Sequence, residues 1–159
     1  MNAHDILFYG NRNLLESLER IPPSERTTTG VVGWWSAREC MAHLAIFEEQ
    51  LVEVLESMMG DGHVPAAAQM SPDMNDILVA QRERETFDQL MQEYQNAHQR
   101  VMELIETIPP EKSREVGTIP WYGAEYSLDD FLVYTFYGHK REHAARFEMF
   151  DDLLKEKQK

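Results

Sequence analysis

The stretch from residue 87 to residue 108, Phe-Asp-Gln-Leu-Met-Gln-Glu-Tyr-Gln-Asn-Ala-His-Gln-Arg-Val-Met-Glu-Leu-Ile-Glu-Thr-Ile, is where the fold is easiest to read. Phe87, Leu90, Tyr94, Ala97, Val101, Leu104 and Ile108 recur at alternating spacings of three and four. That period lays one apolar stripe along an α-helix, whereas a half-buried strand would alternate every second residue. Pro109-Pro110 supplies the stop. Extended backward to the end of the preceding loop, the pattern predicts one long helix from Met74 to Ile108.

Working outward from this helix, the rest of the chain repeats its grammar. A first helix is expected from Ala3 to Arg20, with Ile6, Leu7, Leu14, Leu15 and Leu18 on one side and Pro22-Pro23 beyond it. Gly10 is its one awkward residue. Ser36 followed three residues later by Glu39 reads as a capping box, with Trp35 placed just outside as a staple. The helix it opens carries Cys40, His43, Leu44, Phe47, Leu51, Val54, Leu55 and Met58 on its inner face and ends at Gly60. Gly60 to Pro72 is long enough to cross one end of a bundle, or to act as a lid there. Ser127 with Asp130 makes a second capping box, and the helix after it presents Phe131, Thr135, His139, His143, Phe147 and Phe150. Four amphipathic helices with connections of moderate length imply an all-α, up-and-down four-helix bundle, a single domain over residues 1–159.

Charge and composition exclude several classes of function. Lys and Arg number 15 against 28 Asp and Glu, a formal net charge of −13 that repels nucleic acid and anionic membrane surfaces. The basic residues are dispersed, so no nucleic-acid partner and no membrane partner is expected. Cys40 is the single cysteine, which rules out an intramolecular disulfide and a thiolate metal cluster. It reads as a small buried hydrophobe. No run of 18 apolar residues occurs and Met1 to Tyr9 lacks the pattern of a signal peptide, so the expected location is the cytoplasm. There is no glycine-rich phosphate loop, no H-E-x-x-H and no local signature of a Ser-His-Asp triad.

Chemistry therefore falls to the six histidines. His139 and His143 are four apart, about 6 Å of rise and roughly 40° of rotation on a helix, so both imidazoles can reach one ion. His43 lies on the inner face of a second helix. Together they make three nitrogen ligands at one end of a bundle, with positions left open for water or substrate. Zinc, nickel, cobalt and iron(II) all tolerate such a site. His98, at the edge of the long stripe, reads as a hydrogen-bonded boundary residue, while His4 near the chain start and His63 in a loop are weak candidates. Glu142, Glu48 and Glu49 are close enough in sequence to orient an imidazole or relay a proton, although surface solvation is the commoner fate of such residues. Trp34, Trp35, Trp121 and Tyr122 precede helix starts, and would wall an apolar pocket if those starts share one end of the bundle.

Two short stretches carry a resemblance. Trp35-Ser36-Ala37-Arg38-Glu39-Cys40-Met41-Ala42-His43-Leu44 and Tyr137-Gly138-His139-Lys140-Arg141-Glu142-His143 resemble the DinB/YfiT-like superfamily. The Asn75-Asp76 helix start and the Gly-His-x-x-x-His ending look closest to its ClbS/DfsB-like branch. The resemblance implies a four-helix bundle, a homodimer, and a divalent metal held by His43, His139 and His143. It also implies one of two kinds of activity: a metal-dependent hydrolase, or a thiol-dependent transferase using a low-molecular-weight thiol, acting on a small electrophilic molecule. The alternative is a non-catalytic protein that sequesters such a compound.

Overall fold

A computed structural model describes residues 2–158, and those residues form helices joined by turns, with only isolated bridges at Val32–Trp35 and Val116–Ser127. Helix α1 (Ala3–Glu19) is capped by Asn2, whose side chain accepts from the Asp5 amide at 3.3 Å. It buries Leu7, Leu14 and Leu18. Gly10 is required by packing: a Cβ there would stand 2.9 Å from the Tyr137 ring, so only glycine lets this helix approach so closely. Helix α2 (Ala37–Met59) starts at the expected Ser36–Glu39 capping box, with the Ser36 amide donating to Glu39 at 2.9 Å.

The long third helix is not continuous. It is divided into α3 (Met74–Ala80) and α4 (Phe87–Thr107) by a turn at 81–86. A third capping box, Thr86 with Gln89, opens α4, because their side chains supply partners for amides that an uninterrupted helix would have paired internally. The carbonyls freed at the break are taken by Arg38, whose guanidinium donates to the Arg82 oxygen at 2.5 Å and the Glu85 oxygen at 2.8 Å. Arg82 itself reaches the carboxylates of Glu49 and Glu93. Helix propensity across 81–86 is thus overruled by tertiary hydrogen bonds.

After α4 come the short α5 (Pro110–Arg114) and α6 (Leu128–Phe131), tied together by Ser113 donating to Asp129 at 2.8 Å. The Ser127–Asp130 capping box forms as expected. A π-helical segment, Leu132–Tyr137, then leads without a break into α7 (Gly138–Glu156).

The expected all-α four-helix bundle is present, built from α1, α2, α4 and the composite helix ending in α7. Its directions are less simple than a strict up-and-down alternation. Arg38 meets Glu85, Glu49 meets Arg82, Glu56 meets Arg100 and Met59 meets Thr107, so α2 and α4 run parallel. Gly10 meets Tyr137 and Ser17 meets Glu148, so α1 and α7 also run parallel. Tyr94 bonded to Asn11 and His4 beside Glu106 make α1 and α4 antiparallel. The order is up, down, down, up. Two parallel neighbours in sequence need a return path, and residues 60–86 provide it. They run back along the flank of α2, with the Ala66 amide on Glu53 at 3.0 Å and the Trp35 indole on Asp76 at 3.0 Å. Gly60 to Pro72 therefore does not cross the bundle end as expected, but begins a strap along its side.

Two apolar clusters fill the interior. One gathers Leu14, Leu18, Trp35, Met41, Leu90, Tyr94, Phe147 and Phe150, the other Leu7, Leu51, Leu55, Val101, Leu104, Phe131 and Phe136. Between them, at corresponding heights on all four helices, lies a layer of polar groups: Asn11, His43 and Glu48, His98, then His139, Lys140 and His143. No helix among the described residues is long and apolar enough to cross a membrane.

Candidate metal centre

His43 lies about two turns inside α2, and His139 and His143 lie in the first two turns of α7. The two helices are antiparallel here, with Phe47 of α2 opposite Phe136 of the π segment. Spacing by four on an α-helix drifts steadily round the axis. The wider π turn offsets that drift, so Phe131, Thr135 and His139 stay on the seam that faces α2.

On this seam the three expected histidines come together. Nε2 of His139 stands 2.8 Å from Nε2 of His43 and 3.0 Å from Nε2 of His143, and one ligand atom from each residue falls within 4.8 Å of the others. His43 and His143 are 5% and 6% exposed and His139 is intermediate, so the cluster has one side toward the surface. Its walls are aromatic: Trp35 packs on His43 with ring centroids 5.0 Å apart, and Phe47 lies 4.6 Å from His43 and 4.4 Å from His139.

This environment keeps the imidazoles neutral. Burial pushes His139 down to about 2, helped by the neighbouring His143, His43 and Lys140 charges. Burial likewise lowers His43 to about 3, with His143 contributing, and His143 to about 4, with Arg146 contributing. Three neutral imidazoles with converging Nε2 atoms are the donor set that a divalent ion requires. Among the described residues these nitrogens meet one another and no carboxylate, and Nδ1 of His143 is buried without a partner. An N–H···N bond satisfies one lone pair at a time, whereas an ion would take all three. Tetrahedral coordination with nitrogen ligands at about 2.0–2.1 Å needs nitrogen atoms about 3.3 Å apart, so the two short pairs would open by a few tenths of an ångström while the third, which lies within 4.8 Å, settles to the same spacing. The residues present fit a metal ion.

The other candidates separate cleanly. His98 is buried and donates from Nδ1 to Glu48 Oε1 at 2.5 Å, stacked on Tyr94, which is the boundary role expected of it. His4 and His63 are half-exposed and pair with Asp5 and Asp61. Cys40 is fully buried, and burial pushes its thiol up to about 12, which makes it a packing residue rather than a nucleophile. Glu142 is exposed and Glu49 pairs with Arg82, so neither orients the triad. Glu48 does hold an imidazole, but it is His98 rather than His43. Its carboxylate is 1% exposed and also takes Lys140 Nζ at 2.9 Å. Burial alone would raise the Glu48 carboxyl, yet the Lys140 ammonium and the His98 hydrogen bond hold it below the ordinary carboxylate range.

Lys140 is a buried member of this layer that the sequence pattern does not single out. Its position was a usable signal, since it lies four residues after Phe136 and four before Ala144, both buried.

The aromatics before the helix starts do not share one end. Trp35 belongs to the α2 start, where Gly33 at φ 58° permits the tight Val32–Trp35 turn that sends its ring inward, and Trp34 is exposed. Trp121 and Tyr122 belong to the opposite end. There they line a cavity of about 220 Å³ with Phe47, Gln50, Ala67, Met70, Phe131, Thr135 and Phe136. Phe47 thus has one cavity beside it and the triad beside it as well.

Compared with known proteins, the chain matches no curated protein and no solved structure. Against family models, residues 9–145 match the DinB superfamily. That span takes in all three converging histidines, with α2 and α4 whole and parts of α1 and α7, and by this match over most of its length the chain belongs to the DinB superfamily.

Proposed function

We propose that the protein is a divalent-metal-dependent enzyme, a hydrolase or thiol-dependent transferase, that acts on a small electrophilic molecule. The observation that carries this reading is the convergence of three buried, neutral Nε2 atoms with no counter-charge of their own. His43, His139 and His143 would hold the ion, which supplies Lewis acidity for activating water or a thiol. The Trp35 and Phe47 rings packed on His43 and His139 limit access of bulk water, which strengthens electrostatics in the site. Among the described residues no further acid or base touches the three nitrogens, so proton transfer falls to solvent or to substrate on the exposed side of His139. We place the protein in the cytoplasm and read it as a homodimer that engages neither nucleic acid nor membrane.

A second reading has its own support. The aromatic cavity beside the triad suits a protein that binds and sequesters a reactive compound without turning it over, as the likeness to the ClbS/DfsB-like branch suggests. Elemental mass spectrometry of untagged protein tests the metal: about one equivalent of zinc, nickel, cobalt or iron is expected, and its loss in both His43→Ala and His139→Ala. Stoichiometric metal retained in His139→Ala would overturn the site. With an electrophile in excess, continued consumption marks an enzyme, and consumption that stops at one equivalent marks a sequestering protein.

A further inference from the structure

The cavity beside the triad has a composition that selects its occupant. Five of its nine lining residues are aromatic, Phe47, Trp121, Tyr122, Phe131 and Phe136, and none carries a charge. Its polar groups are the neutral Gln50, Thr135 and Tyr122 side chains and the Trp121 indole N–H, and the Thr135 and Tyr122 hydroxyls are already turned to one another, 3.4 Å apart. A charged group moved from water into such a space would lose its hydration with nothing to replace it. The neighbourhood sharpens the choice. In the adjoining hollow that shares Gln50 and Met70, Arg82 pairs with Glu49 and Glu53 remains as the excess carboxylate, which disfavours an anion. A divalent ion held by three neutral imidazoles on the far side of Phe47 would disfavour a cation. At about 220 Å³ the space is below the usual range of about 300–1,000 Å³ for drug-sized ligands, so it fits one fragment rather than a whole large molecule or a peptide.

We infer that this cavity is a recognition subsite for an uncharged, apolar group of one or two rings, and that Phe47 is the residue through which its occupant is set against the histidine cluster. The inference rests on the metal-centre reading for its chemical consequence: the substrate is a neutral molecule whose apolar part seats between α2, the strap at Ala67 and Met70, and Trp121, with its electrophilic end toward His139. A hydrophilic, multiply charged thiol has no group in this cavity to receive it. Such a thiol would have to approach from the solvent side of His139 instead.

The test uses two fluorescent probes with the same rings. 1-Methylnaphthalene is neutral, and naphthalene-1-sulfonate carries one negative charge. The neutral probe is expected to saturate at one equivalent and to bind at least about tenfold more tightly than the sulfonate. Ala67→Trp, which fills the space, should weaken the neutral probe by about tenfold or more. Gln50→Glu, nearly identical in shape, should weaken the sulfonate more than the neutral probe. Metal content is measured in the same samples. Saturable neutral binding lost in Ala67→Trp supports the subsite even if no metal is found, an outcome that would sink the metal reading alone. Absence of saturable binding, preference for the sulfonate, or indifference to Ala67→Trp in protein that holds its metal would overturn the subsite and leave the metal reading standing.

Discussion

The helices α2 and α7 carry two buried polar clusters a few residues apart, and they are chemically opposite. His43, His139 and His143 bring three bases together with no acid among them. Glu48, Lys140 and His98 bring a carboxylate, an ammonium and an imidazole together, each within hydrogen-bond distance of another. The second cluster closes on itself: its donors and acceptors match, and the Glu48 carboxyl is held ionised by its partners in spite of full burial. The first leaves lone pairs facing one another, and its burial suppresses protonation instead of being compensated for it. Burial with a matched counter-charge is a structural device, whereas bases buried alone, with one side near the surface, form a donor set that could hold an ion.

The largest expected effect breaks the first cluster only. His139→Ala should weaken metal binding by more than about 100-fold, since even outer partners of a metal ligand are worth about 10–100-fold. Equilibrium dialysis with zinc checks it. The corresponding lesion in the second cluster is Lys140→Met, which leaves Glu48 buried with one partner fewer. It should cost about 3–5 kcal/mol in urea unfolding, and the Glu48→Leu/Lys140→Met double variant should recover much of that loss, because an apolar pair of similar volume often replaces a buried ion pair without penalty. A double variant no more stable than Lys140→Met would show that Glu48 does more than balance the lysine.

Acid distinguishes the two clusters by sign and window. Metal-free, the folded triad resists protons until about pH 4 and below, while the unfolded chain takes them up below the ordinary imidazole value of about 6.5. Stability from the triad's environment is therefore fully present above that value and falls as pH drops through it. The Glu48 carboxyl, lowered in the folded state, contributes stability above the ordinary carboxylate range and loses it only at more acid pH. Melting temperature against pH, with and without metal, should show the decline beginning near pH 6.5 in the metal-free protein and moving lower when metal is bound. The smallest effects belong to the carboxylates that touch neither cluster. Glu142→Gln and Glu49→Gln should change stability by no more than about 0.5 kcal/mol and leave metal content intact.

Much of this arrangement was legible beforehand. The three-four stripes placed the helices, Ser36–Glu39 and Ser127–Asp130 marked two starts, and the His139–His143 spacing with an inward His43 named the triad. Thr86-x-x-Gln89 was an equally readable start, masked because the apolar period and good helix formers run straight through it. Glu48 and Glu49 read as interchangeable neighbouring carboxylates, although the position of Glu48 between Leu44 and Leu51 puts it on the buried face. The partner it found there, His98, comes from α4, and no local rule couples residues 48 and 98.

The sequence by itself determined what depends on neighbours along the chain: helical period, capping, the i, i+4 histidine pair, and the net negative charge. Only the tertiary structure decided what depends on helix direction and register. It set the parallel run of α2 and α4, the strap that this direction requires, the break at 81–86 held by Arg38, and the sorting of buried polar residues into an open cluster and a closed one. The physical reason is that hydrogen bonding and side-chain period are satisfied within a turn or two of helix, while buried charge is balanced by whichever residue another helix brings to the same height.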